Sequence, residues 1–159
     1  MAAMAPRISL AASLLPDARA TARLGAALAR LARPGDALLL EGPLGAGKTV
    51  LARAFLRALA ADPALEVPSP SFTLVQSYET GRGPAHHFDL WRLAGPADLA
   101  ELGWDEARAG IVLVEWPDRL GPLAPAGALR ATLAIAGPRA RALRLAGWEA
   151  RRGAGSAPA

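Results

Sequence analysis

Gly42, Pro43, Leu44, Gly45, Ala46, Gly47, Lys48 and Thr49 form a glycine-rich octapeptide of the pattern GxxxxGK[ST], followed by Val50. Glycines at these positions permit a tight loop whose backbone amides converge, because side chains would obstruct both the turn and an anion seated in it. An apolar run, Ala37 to Leu40, precedes the loop, and a helical pattern with Leu51, Phe55 and Leu59 on one face follows it. That strand–loop–helix context is what the motif requires, and the helix N-terminus adds N–H groups aimed at the same anion. The implied chemistry is nucleotide binding: Lys48 reaches the β and γ phosphates, and the Thr49 hydroxyl ligates Mg²⁺. The chain has 17 arginines and one lysine, and that lysine is Lys48. If coding bias converts every indifferent lysine to arginine, the survivor marks a place where a wide guanidinium fork cannot replace a compact ammonium.

Two carboxylates are candidates to complete the site. Glu115 ends the apolar segment Ile111 to Val114, where open α/β sheets place their ligands, and reads as a ligand of Mg²⁺ or of a metal-bound water; the plainer alternative is a strand-end acid facing solvent. Asp89, at the end of His87-Phe88-Asp89, competes for that role or holds the attacking water. Mg²⁺ needs few protein oxygens besides phosphate and water. His86 and His87 point to opposite faces of a strand and cannot serve one metal, so His87 is read as structural or site-lining and His86 as exposed. Ser69, Ser71 and Thr73 carry hydroxyls on a proline-limited loop suited to a switch, or form a mere connection. Trp116 stacks on a base or packs an edge.

These residues need a sheet with one functional edge. Expected elements are a first short strand over Arg7 to Leu10, a helix over Ala18 to Ala32 capped by Asp17 with Leu24, Leu28 and Leu31 repeating at helical spacing, and a strand over Ala37 to Leu40. A helix from Gly47 or Lys48 to about Ala60 is followed by a hairpin of Phe72 to Tyr78 with Ala85 to Leu90. Short helical turns are expected over Pro96 to Ala100 and Trp104 to Ala109, then strands over Ile111 to Val114, Leu129 to Ile135 and Arg141 to Leu145. The pattern predicts an α/β fold: a single P-loop NTPase domain over 1–150 with a mixed parallel/antiparallel sheet flanked by helices, and a flexible tail over 151–159.

With 159 residues, 52% of them hydrophobic, the chain is long enough for one domain with a real core. No run of 18 apolar residues indicates a membrane span, and no cysteine is present for a disulfide, a thiolate metal site or a nucleophile. Ile8 to Leu15 imitates a signal core, but Pro16-Asp17 and the arginines beyond it read as a strand leading into a helix, so the expected location is the cytoplasm. The net charge of +4 is spread without a dense block, which argues against a dedicated nucleic-acid face. No asparagine occurs, so the guanine-reading Asn-Lys-x-Asp motif is absent, and no arginine-rich lid stands out as in a small nucleoside kinase.

The phosphate loop, together with Ser69-Pro70-Ser71-Phe72-Thr73-Leu74-Val75, His87-Phe88-Asp89-Leu90-Trp91-Arg92-Leu93 and Leu113-Val114-Glu115-Trp116-Pro117, resembles the bacterial TsaE family in order and spacing from about Leu15 to Leu145. The resemblance implies an ATP- and Mg²⁺-dependent ATPase, weak alone, that works with the TsaD and TsaB subunits in threonylcarbamoyl modification of adenosine 37 in ANN-decoding tRNAs. The tRNA would be reached through that complex. By the family pattern Lys48 contacts phosphate, Thr49 and Glu115 serve Mg²⁺, Asp89 lies in the catalytic region, and Ser69 to Thr73 resembles a switch segment. Val50 replaces a frequent second threonine, Ser71 a commoner threonine, and Trp91 a usual tyrosine, the last expected to be a packing change. A stand-alone small-molecule kinase and a nucleotide-gated binding module with negligible turnover are the alternative readings.

Overall fold

A computed structural model of the chain describes residues 13–153. The strand expected over Arg7 to Leu10 lies outside them. The described elements are β1 (Ser13–Leu15), α1 (Ala18–Leu31), β2 (Ala37–Glu41), α2 (Lys48–Ala60), β3 (Val75–Thr80), β4 (Gly83–Asp89), α3 (Trp104–Ala107), β5 (Ile111–Glu115), β6 (Leu129–Ile135), β7 (Arg141–Ala146) and α4 (Glu149–Gly153). Turns of 3₁₀ helix cover Pro96–Asp98, Ala100–Leu102 and Pro117–Leu123.

The strands form one seven-stranded sheet in the order β1-β7-β6-β2-β5-β4-β3. β6, β2, β5 and β4 are mutually parallel. β7, β1 and β3 are antiparallel additions at the flanks. Alternation along β2 and β5 divides the core: Leu38, Leu40, Ile111 and Leu113 pack beneath α1 and α2, whereas Leu39, Val112 and Val114 meet Phe88, Leu99 and Trp104 on the other face. Burial of both faces is why these central strands read as continuous apolar runs.

The N-cap of α1 is Asp17, whose carboxylate accepts from the Ala20 N–H at 2.9 Å. Leu28 is buried and Leu24 and Leu31 pack partly buried against the same core, as their spacing implies, with Thr21 and Gly25 buried beside them. Gly25 is where α1 meets α2 most tightly. A Cβ there would come within 2.6 Å of the Leu51 carbonyl oxygen of α2, so the missing side chain sets how closely the helices approach. Gly25→Ala is therefore expected to cost about 1–3 kcal/mol through overpacking, measured as a lower urea midpoint with unchanged slope.

Two expectations shift. β3 starts at Val75 rather than Phe72, because Leu74 takes a positive φ of 65° and its N–H closes a turn onto the Pro70 carbonyl at 2.8 Å. Arg151 to Gly153, expected within the tail, belong to α4. Arg151 holds Asp36, just before β2, through Nη1–Oδ2 at 2.5 Å and Nη2–Oδ1 at 2.8 Å, and Arg152 is buried. Residues 154–159 lie outside the described part.

Candidate functional site

The parallel register sets the carboxyl ends of β2, β5 and β4 side by side, pairing Leu40 with Glu115 and Glu115 with Asp89. β5 lies between β2 and β4, so the chain passes over it on the way from β2 through α2 to β4, leaving a crevice at the sheet's carboxyl edge. The phosphate loop fills that position. Gly42 has φ 147°, and a Cβ on it would collide with the Leu133 carbonyl of β6; Gly47 has φ 97° where the loop turns into α2. Both positions require glycine, one for space and conformation, the other for conformation.

A cleft of about 740 Å³ opens there. Its walls include loop residues Pro43 to Val50, then Ser69, Ser71, Asp89 and Glu115. Lys48 (7% exposed), Asp89 (6%), Glu115 (4%) and His87 (1%) are buried polar residues at this edge. The Lys48 ammonium donates to the carbonyls of Gly42 and, at 3.3 Å, Pro43, and lies 4.6 Å from the centre of the Trp116 ring. Trp116 adopts a left-handed backbone (φ 57°) directly after Glu115, a conformation that costs an L-residue about 1 kcal/mol and turns the ring toward the loop.

Ser69 and Ser71 hydroxyls lie 3.0 Å apart, and the Leu74 carbonyl accepts the Asp89 N–H at 2.9 Å, which ties the serine loop to the end of β4. Thr73 is exposed and is not part of the cleft wall. His87 lies behind the wall, with Nε2 2.8 Å from Glu115 Oε2. His86 is half-buried rather than exposed, its Nδ1 2.8 Å from Ser77 Oγ on the neighbouring strand.

Burial raises the Asp89 pKa above the usual carboxylate value, and the negative charge of Glu115 adds to the rise; the Trp91 N–H, His87 and Lys48 oppose it. The folded protein thus retains a proton on Asp89 over a pH range where the unfolded chain has lost it. Asp89's contribution to stability is present below the ordinary value of 3.8 and is lost as pH rises through the raised folded value. Asp89→Asn is expected to raise the thermal midpoint at neutral pH, with the difference closing in acid, which melts at the two conditions measure directly.

Two wall residues were absent from the expected set. Trp91, expected to be a packing change, lines the cleft and is 45% exposed. Arg141, at the start of β7, also lines it and donates from Nη2 to the Gly45 carbonyl at 3.0 Å. The antiparallel return of β7 brings Arg141 to the loop from 96 residues away in sequence, beyond the reach of any local pattern.

The mixed sheet, with its glycine loop at the carboxyl ends of the central parallel strands, defines an α/β protein of the P-loop class. A family model described as threonylcarbamoyl adenosine biosynthesis protein TsaE matches residues 15–143, and the chain belongs to that family. Proteins described as tRNA threonylcarbamoyladenosine biosynthesis protein TsaE include one from Synechocystis, 40% identical over 69% of this chain and 71% of its own, and one from Bacillus subtilis, 37% identical over 76% and 73%. The match to the Rickettsia felis relative, 37% identical over 66% of this chain, spans 61% of that protein's length. The crystal structure of Bacillus subtilis YdiB superposes with a TM-score of 0.67 at 30% identity, covering 84% of this chain and 82% of that one.

Proposed function

We propose that the chain binds ATP with Mg²⁺ and hydrolyses it as the ATPase subunit of tRNA threonylcarbamoyladenosine formation, acting in the cytoplasm with TsaD and TsaB subunits on adenosine 37 of ANN-decoding tRNAs. The observation that carries this reading is the convergence of Lys48, Thr49, Asp89 and Glu115 on one cleft at the N-terminus of α2.

The donors suit the groups assigned to them. Positive-φ glycines at 42, 45 and 47 leave room for a backbone cradle that side chains would fill. For Mg²⁺, one hydroxyl and one carboxylate beside a phosphate site match a hard cation that keeps several waters; no cluster of three or more acidic, histidine or cysteine ligands occurs among the described residues, so a metal held by protein alone is not indicated. In this reading the amides of Pro43 to Thr49 and the Lys48 ammonium bind the β and γ phosphates, while Thr49 and Glu115 hold Mg²⁺. Asp89 orients the attacking water. Bound Mg²⁺ supplies neutralisation of charge on the transferred phosphoryl group. Ser69 and Ser71 close the wall beside the phosphates, and Trp116 covers the Lys48 side.

No helix among the described residues is long and apolar enough to cross a membrane. Basic side chains dispersed over the chain favour tRNA contact through the complex, so the isolated protein should bind tRNA weakly and lose it steeply with salt. The test of the assembly is ATP turnover with and without TsaD and TsaB. A low basal rate that rises when the partners copurify and are present supports the proposal. Rapid phosphorylation of a small metabolite without partners, or tight nucleotide binding without turnover in either condition, would replace it with a kinase or a non-hydrolytic module.

A further inference from the structure

Glu115 is almost wholly buried, stands beside a second buried carboxylate, and keeps only one oxygen for the cleft. The other, Oε2, is 2.8 Å from His87 Nε2. A carboxylate that serves as a cation ligand only accepts hydrogen bonds, so in that role of Glu115 the ring nitrogen is the donor. Among the described residues Nδ1 is buried without a hydrogen-bond partner, so the ring's one polar contact is to Glu115. The strand explains the reach: His87 and Asp89, two residues apart on β4, share a face with Glu115 of the adjacent parallel β5. Among the described residues no other hydrogen bond is made to the Glu115 carboxylate, so this single donor fixes its rotation.

From this geometry we infer that His87 is a positioning residue: its Nε2–H holds Oε2 of Glu115 so that Oε1 is presented to the cleft as a cation ligand. This rests on the assignment of Glu115 to Mg²⁺ and extends it to a side chain that never touches nucleotide or metal. A carboxylate ligand oriented by an outer hydrogen bond typically loses about 10- to 100-fold in metal affinity or activity when that bond is removed. A histidine that only filled space would show no such link to the cation.

The test compares His87→Leu, which keeps apolar volume and removes the donor, with His87→Gln, whose amide supplies a donor, and with Glu115→Gln. ATP affinity is titrated at rising Mg²⁺ and again in chelator. The inference predicts a shift of about 10-fold or more toward higher Mg²⁺ for His87→Leu, recovery to within about 3-fold in His87→Gln, and unchanged affinity in chelator for both. A parental Mg²⁺ response in His87→Leu beside a shifted one in Glu115→Gln overturns the positioning role alone. A parental response in Glu115→Gln overturns the Glu115 assignment and the inference with it. Should His87→Leu not fold, nitrogen NMR of the two imidazoles in the parent and in Glu115→Gln decides. A protonated Nε2 on His87 whose shift moves in Glu115→Gln supports the inference, and a protonated Nδ1 or an unmoved shift refutes it.

Discussion

Lys48→Ala is expected to weaken ATP binding by about 10- to 100-fold, the range for losing a hydrogen-bonded charge, and to reduce turnover by a further factor of about 100 or more. The ammonium rests on the carbonyls of Gly42 and Pro43 and against Trp116, within the loop that would receive the phosphates. Because it is buried, no other cation of the cleft can move in to replace it; Arg141 is engaged with the Gly45, Gly137 and Ala140 carbonyls. Lys48→Arg should fail nearly as badly, since a planar fork must displace either the loop or the indole. Equilibrium binding of ATP and single-turnover hydrolysis measure the two effects separately, and a Lys48→Arg variant with parental binding would remove the argument from the sole lysine.

Glu115→Gln should behave differently. It stands at the cleft wall, and among the described residues its side chain hydrogen-bonds His87 and neither the loop's amides nor Lys48, so ATP affinity in chelator should stay within about 3-fold of the parent or improve as a like charge beside the phosphates is removed. Turnover should fall by about 100- to 1,000-fold, with half-saturation moved to higher Mg²⁺. Asp89→Asn separates the two carboxylates: loss of turnover with a normal Mg²⁺ response assigns it to the attacking water. Parental turnover in Glu115→Gln would move the metal role to Asp89.

The phosphate loop and α2 were readable because all their constraints are local: glycine conformations, a preceding apolar strand, and a helical face of Leu51, Phe55 and Leu59, all buried as expected. Glu115 and Asp89 were readable because each ends a strand, and parallel pairing aligns strand ends. What the sequence hid depends on distant partners. The close approach of α1 is set by Gly25 meeting a carbonyl of α2, the late start of β3 by the Leu74 turn onto Pro70, and the ordered α4 by Arg151 reaching Asp36. Arg141 entered the cleft by topology. The hydrogen bond from His87 to Glu115 joins strands whose adjacency no local pattern specifies, although their alternation placed both side chains on one face.

The central claim, that this cleft turns over ATP to sustain tRNA modification, is tested most directly by counting threonylcarbamoyladenosine formed per TsaD–TsaB complex on an ANN-decoding tRNA, with the threonylcarbamoyl donor supplied and this chain added as parent or as Lys48→Ala. The account predicts many modification cycles with the parent and ATP, and no more than about one with Lys48→Ala or without ATP. Equal multiple-turnover yields with parent and Lys48→Ala would contradict it.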